Sequence, residues 1–254
     1  MKILILMTYF NRPILVRNAL ASIRKAAGHY QDWIMVFGDD NSPVPGEPIV
    51  REILPEYLDR ITFINSNMSF DEKIEKGLAH GKYANQIIAA CKADVAIILC
   101  DDDELVPTYL RDLAAFFVSH PNVMYCYSKV HIYNPLFQKS EEVDNVTGRY
   151  NEHDGLINPA NKLDVSQVAF RLDCCKIHGV QFPDSTKGAQ PWIENIDGGF
   201  FQALYDKFGP AMPTNLIAQY KGIHDHQLVW HKKNGVEDLS KYIQQVTELG
   251  GKRF

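Results

Sequence analysis

The chain has 254 residues, of which 46% are hydrophobic, 11% aromatic and 22% charged; that is enough apolar side chain for a packed core and excludes wholesale disorder. Twenty-six Lys and Arg against 31 Asp and Glu give a formal charge of −5, which argues against a broadly basic nucleic-acid surface. No run reaches the roughly 18 uninterrupted apolar residues of a membrane span.

In chain order, Ile3–Met7 is a continuous apolar run, and Pro13 then opens a segment with Leu15, Ala19, Ile23 and Ala27 at helical spacing. This predicts strand, loop, helix. The unit recurs: Trp33–Phe37 is apolar and ends at Gly38-Asp39-Asp40-Asn41-Ser42, followed by Val50, Leu54, Tyr57 and Leu58 at helical spacing. Ile61–Ile64 reads as a short third strand, and Tyr83, Ile87, Ile88 and Cys91 mark a helix leading to the most apolar run, Val95–Cys100. That run stops at Asp101-Asp102-Asp103-Glu104. Apolar strands alternating with amphipathic helices predict an α/β domain with a mostly parallel sheet flanked by helices. After about residue 120 the pattern weakens into Tyr-rich and Asn-rich loops, a mixed segment at 163–175, a helical stretch near 197–208 and an amphipathic segment at 239–249. No Pro/Gly/Ser linker divides the chain, so a single domain over 1–254 is expected.

The N-terminal apolar run is shorter than a signal peptide's core, and no small-x-small cleavage site follows it. Five cysteines with no metal-type spacing read as free thiols, and a cytoplasmic location is expected.

Ligands of such sheets bind at the carboxyl ends of the strands, and three of the four predicted strands end in polar or acidic clusters. Asp101, Asp102 and Asp103 repel one another by roughly 4 kcal/mol per close pair in an intermediate dielectric. Hard oxygen ligands there suit Mg²⁺ or Mn²⁺ with substrate phosphates; the alternative is a solvated acidic turn before the next helix. Asp39 at a strand end can accept hydrogen bonds from a nucleobase or ribose, or else form an Asx-turn. Thr8-Tyr9-Phe10-Asn11-Arg12-Pro13 sets backbone donors and a cation near a helix start, which suits a diphosphate. His224 and His226 would share one face of a strand, as metal ligands or as surface histidines. Trp192 offers an aromatic wall to a sugar, or a buried ring.

In their order and near their spacing, Thr8-Tyr9-Phe10-Asn11-Arg12-Pro13, Asp39-Asp40-Asn41-Ser42, Gly81-Lys82-Tyr83-Ala84-Asn85 and Asp101-Asp102-Asp103 resemble family-2 nucleotide-diphospho-sugar glycosyltransferases of the GT-A fold. Within that family the chain resembles bacterial spore-coat polysaccharide glycosyltransferases. Ser166–Arg171 is similar to the family's acceptor-side strand and Ile196-Asp197-Gly198-Gly199-Phe200-Phe201 to its catalytic helix. The resemblance covers nearly the whole chain. It implies a Rossmann-like GT-A domain with a nucleotide-binding half at 1–120 and an acceptor half at 121–254. It implies an inverting, metal-dependent enzyme taking a UDP- or dTDP-sugar to an acceptor hydroxyl on a glycan, lipid-linked sugar, protein or modified nucleobase. Thr8 and Asp39 would hold the nucleoside, Tyr9 and Arg12 the diphosphate end, and Lys82 the base or diphosphate. Asp101 would meet the ribose and Asp102 the Mn²⁺ or Mg²⁺, with an Asp-x-Asp register using Asp101 and Asp103 as the other option. His224 or His226 would complete the metal shell. Asp197 would be the general base, and Glu194 is its possible substitute because Ile196 stands where many relatives carry Glu. A sugar nucleotidyltransferase is expected to carry a Gly-rich loop after the first strand, and Thr8–Pro13 has no Gly. A non-catalytic member of the fold is the remaining alternative, against which Asp197 is present.

Overall fold

Every second residue of the first strand packs into a different core. Ile3, Ile5 and Met7 join one cluster, while Leu4 and Leu6 join another, because successive strand side chains point to opposite faces. Both faces are therefore covered, which is the condition under which parallel strands are stable. The computed structural model describes residues 1–67, 69, 80–133, 155–160, 162–183 and 194–222.

The elements are β1 (Ile3–Tyr9), α1 (Pro13–Ala27), β2 (Trp33–Asp39), α2 (Glu47–Ile53), a 3₁₀ turn (Pro55–Arg60), β3 (Ile61–Asn65), α3 (His80–Ala90), β4 (Val95–Cys100), β5 (Asp103–Leu105) and α4 (Tyr109–Ser119). There follow β6 (Tyr125–Tyr133), a 3₁₀ turn (Val165–Gln167), β7 (Val168–Arg171), α5 (Asp173–Lys176), α6 (Glu194–Phe208) and β8 (Met212–Gly222). The eight strands form one sheet in the order β3-β2-β1-β4-β7-β6-β8-β5. β1 pairs in parallel with β2 and β4, β2 with β3 and β6 with β8, whereas β7 is antiparallel to β4 and β6, and β5 to β8. This is the mostly parallel, helix-flanked α/β sheet expected from the sequence.

Helices α1 and α4 cover one face through Val16, Leu20, Ile23, Leu110, Leu113 and Phe117. Ile88 of α3 and Phe200, Phe201 and Leu204 of α6 cover the other. No helix among the described residues is long and apolar enough to cross a membrane.

Two departures from the sequence reading have physical causes. The helical stretch read through Val50–Leu58 breaks at Leu54, where Pro55 lacks the N–H a continuing α-helix needs and starts a 3₁₀ turn instead. The region after residue 120, read as loops, contains the nine-residue β6. There Tyr125 and Tyr127 enter one core and Cys126 the other, but Ser128, Lys129 and His131 interrupt the apolar pattern.

Candidate functional site

The sheet's topology creates the site. β1 lies between β2 and β4, and the strand order reverses around it, which leaves a crevice at the carboxyl ends. Register sets Thr8 opposite Gly38 and Cys100, Tyr9 opposite Asp39, and Asp39 opposite Asn65. A cavity of about 210 Å³ opens there, lined by Thr8, Asp39, Asp40, Cys100 and Asp197 among polar groups and by Ile64, Ala84, Ile87, Ile98 and Phe182 among apolar ones.

The loop after β2 is organised by Asp39. Its Oδ1 accepts from the Ser42 N–H and its Oδ2 from the Gly46 N–H, both at 2.8 Å. Asn41 takes the left-handed conformation (φ 52°), which Asn tolerates better than most residues. Gly46 is required by space: a Cβ there would lie 2.6 Å from the Phe37 ring and 2.7 Å from the Tyr9 ring. Tyr9 is buried, packs on Phe37 and donates its hydroxyl to the Val44 carbonyl at 2.9 Å. Asp39 and Tyr9, both expected at the nucleotide, thus also build the loop. Asp40, adjacent to Asp39 and 7% exposed, lines the same cavity.

The β1–α1 loop is likewise tied inward. The Phe10 N–H donates to Asp101 Oδ2 at 2.9 Å and the Asn11 N–H to Ser42 Oγ at 3.1 Å. Arg12 pairs with Asp101 at 2.7 Å and with Asp102 at 3.2 Å. The donors that the sequence offers to a diphosphate thus also hold neighbouring loops, Phe10 and Arg12 the acidic loop and Asn11 the loop after β2.

A second cation comes from far along the chain. β8 pairs antiparallel with β5 and sets Lys221 opposite Asp103; Lys221 Nζ lies 3.4 Å from Asp103 and 3.0 Å from Asp164. Asp164 arrives because β7 runs antiparallel to β4, so the turn before β7 lies near the end of β4. It caps that turn, accepting from the Ser166 N–H, while the Gln167 side chain accepts from the Asp164 N–H. The sequence reading missed both residues. Asp-x-x-Gln is a legible capping signal, but nothing in the pattern around Lys221 announces a buried ion pair.

The charges are unbalanced. Among the described residues Arg12 and Lys221 face Asp101, Asp102, Asp103, Asp164 and Asp197. Burial raises Asp101 to about 6 against the opposing pull of Arg12, and pushes Asp103 well above the usual carboxylate range despite Lys221. Asp164 is lowered, since Lys221 and the Ser166 hydrogen bonds outweigh burial. Lys221 is raised, because Asp103 and Asp164 outweigh its desolvation. Asp197, at intermediate accessibility on α6, is raised to about 7 by burial and by the charge of Asp164, with Lys221 opposing.

Such a cluster fits a divalent cation. Ligand atoms of Cys100, Asp102 and Asp103 lie within 4.8 Å of one another. Burial and Asp103 push the Cys100 thiol well above its usual range; by donor chemistry the hard carboxylate oxygens of Asp102 and Asp103 suit Mg²⁺ or Mn²⁺ and the soft thiol does not. Trp192, His224, His226 and the side chains of Lys82 and Glu194 lie outside the described residues.

Breaking a buried ion pair leaves uncompensated charge, at a cost of about 3–5 kcal/mol. Lys221→Met should therefore lower unfolding free energy by about that amount in a denaturant titration, and Lys221→Arg by much less; equal stability of Lys221→Met and the wild type would contradict the buried pair.

Comparison with known proteins agrees with this geometry. The sequence profile described as Glycosyl transferase family 2 matches residues 4–163. No curated protein sequence matches the chain. Among solved structures, Staphylococcus aureus TarS 1–349 in complex with UDP-GlcNAc superposes with a TM-score of 0.65 at 16% identity, covering 88% of this chain and 59% of that one. Mannosyltransferase PcManGT from Pyrobaculum calidifontis, in complex with GDP-Man and Mn²⁺, gives 0.59 at 13% identity, covering 98% and 73%. Glucosyl-3-phosphoglycerate synthase from Mycobacterium tuberculosis, with Mg²⁺ and UDP, gives 0.56 at 11%, covering 98% and 79%. At these identities the likeness establishes the fold. This chain spans about three fifths of the TarS fragment's length.

Proposed function

Because the chain belongs to glycosyl transferase family 2 and has the fold of these transferases, we propose that it is a divalent-cation-dependent, inverting glycosyltransferase. It moves a sugar from a nucleoside diphosphate, UDP or dTDP, to an acceptor hydroxyl. The observation that carries this reading is one cavity that holds Thr8, Asp39 and Asp40 together with Asp197, a carboxylate held near 7. Complexes of the similar proteins with UDP-GlcNAc, GDP-Man and Mn²⁺, and UDP and Mg²⁺ support a nucleotide-sugar donor and a divalent cation. The chain works as one domain, with 1–120 on the nucleotide side and 121–254 on the acceptor side. Five free thiols suit a reducing, cytoplasmic setting.

Asp39 and Thr8 contact the base, and Asp39 also holds the loop that carries Asp40, which lines the same cavity. Arg12 fixes Asp101 toward the nucleoside and orients Asp102, which with Asp103 would hold Mn²⁺ or Mg²⁺. A cation held there would supply charge neutralisation to the leaving diphosphate. Asp197 accepts the proton of the acceptor hydroxyl as that oxygen attacks the anomeric carbon from the face opposite the diphosphate. Trp192, His224, His226, Lys82 and Glu194 keep the acceptor, metal, nucleotide and substitute-base roles that the resemblance implies.

A screen of UDP- and dTDP-sugar hydrolysis with and without Mn²⁺ tests the reaction class without a known acceptor. Asp102→Asn should abolish the Mn²⁺ stimulation, and normal turnover by this variant in a chelator would refute metal dependence.

Base recognition has its own test. A carboxylate accepts the imide N–H of uracil or thymine, and cytosine N3 offers no such donor. A charged hydrogen bond of about 1.5–3 kcal/mol gives UDP a preference over CDP of about ten- to hundredfold. Asp39→Asn should erase that preference in calorimetry and also lower stability, since Asp39 accepts from the Ser42 and Gly46 N–H groups; a preference kept by Asp39→Asn and lost by Asp40→Asn would assign the base to Asp40.

For the proton, transfer should fall about tenfold per pH unit below the Asp197 value of about 7 and level off above it. Asp197→Asn should remove that acidic limb, reduce transfer by about 10²–10⁴-fold and leave UDP binding nearly intact. Retained transfer would exclude Asp197 as the base and pass the role to Glu194.

A further inference from the structure

Phe182 lies outside any helix or strand, yet it is held from two sides. The Asn85 side chain on α3 donates from Nδ2 to the Phe182 carbonyl and accepts at Oδ1 from the Phe182 N–H, each at 2.8 Å and across 97 residues of sequence. On the other side the Phe182 ring stacks on Phe200 of α6, with centroids 3.8 Å apart and planes 6° from parallel. Both rings also meet Phe170 of β7 edge-on. The next residue, Pro183, presses on α6 so closely that a Cβ on Gly199 would lie 2.6 Å from its Cγ. Ala84 and Ile87 of α3, Phe182, and Asp197 of α6 all line the one cavity.

We propose that the Asn85–Phe182 pair is a brace that sets the position of α6, and with it Asp197, against the nucleotide side of the cavity, which makes Asn85 a positioning residue for transfer. The inference rests on the proposed role of Asp197. Asn85 belongs to the segment that resembles a nucleotide-binding motif, but its amide is directed at a peptide group of the acceptor side. An amide side chain is suited to this work: one donor and one acceptor on a short stem match both polar groups of a single residue. The stacked Phe182–Phe200 pair carries the position onward to α6, one turn from Asp197, and Gly199 allows the approach. Loosening the brace moves the base relative to the donor while leaving the contacts to the nucleotide in place. Misplacement on the order of 1 Å can lower a rate by about 10²-fold, so the loss appears in turnover and not in affinity.

The test uses the full chain with Asn85→Ala and, separately, Gly199→Ala. Alanine favours helix over glycine, so any loss in the second variant comes from the collision with Pro183. Both variants should bind UDP with Mn²⁺ within about threefold of wild type and hydrolyse UDP-GlcNAc or another UDP- or dTDP-sugar about ten- to hundredfold more slowly. Hydrogen exchange followed by mass spectrometry should quicken at 180–182 and in α6 while β1 and β4 stay protected. Turnover that falls no further than UDP affinity, or α6 exchange equal to wild type, would overturn the brace. Should Asn85→Ala not fold, Asn85→Asp carries the test, since it keeps the acceptor for the Phe182 N–H and loses the donor to the carbonyl. If wild type hydrolyses none of the donor sugars, glycosyl transfer is refuted and the exchange measurement alone decides whether the brace exists.

Discussion

Among the described residues, Asp101, Asp102, Asp103, Asp164 and Asp197 gather near Arg12 and Lys221 at one end of this sheet, and the organisation of the site follows from the need to keep them there. Asp103 is fully buried, and Asp101 and Asp102 are nearly so. Three adjacent charges in such a place repel one another and lose hydration. The chain answers with cations from distant places: Arg12 just before α1 and Lys221 near the end of β8. Each reaches two carboxylates, Arg12 joining Asp101 to Asp102 and Lys221 joining Asp103 to Asp164. The cluster therefore acts as a fastener, tying the β1–α1 loop, the end of β4, the turn before β7 and the edge of β8 into one arrangement.

Burial works against this compensation, with chemical consequences. Even beside Arg12 and Lys221, burial keeps Asp101 and Asp103 prone to protonation and brings Asp197 to about 7. The field of Asp164 contributes to the last of these, although Lys221 acts against it. The acidic strand-end cluster and Asp197 are thus joined electrostatically through the Asp164–Lys221 pair. A structural ion pair and the proton affinity of a cavity carboxylate depend on the same charges.

The first half of the fold was legible because its signals are local. β1, β2, β3 and β4 are short apolar runs closed by polar residues, and α1 shows its apolar face at helical spacing. The second half depends on pairings whose signals are spread along the chain. β6 is sandwiched between β7 and β8, and its Ser128 is buried because it bonds to Tyr109 and Thr214 while its carbonyl accepts from Gln167. A polar residue satisfied by partners 19, 86 and 39 positions away looks, in the sequence alone, like a break in a strand. β8 is obscured in the same way, since Gln219 is buried with its amide donating to the carbonyls of Ile98 and Ser166.

The same distinction runs through the site. Strand ends rich in Asp locate the crevice, because the register of β1, β2 and β4 follows from their apolar runs. They do not reveal which aspartate does what. Asp39 and Asp40 are identical in chemistry and adjacent in sequence, yet Asp39 accepts from two N–H groups of its own loop while Asp40 follows the last residue of β2, with its N–H on the Tyr9 carbonyl. What separates them is the path of the chain from Asn41 to Gly46: a left-handed Asn and a glycine pressed on two aromatic rings bring the Ser42 and Gly46 N–H groups back onto Asp39. The acidic composition marks this end of the sheet, whereas the packing of Gly46 against Tyr9 and Phe37 sets which of two cavity-lining carboxylates also anchors the loop.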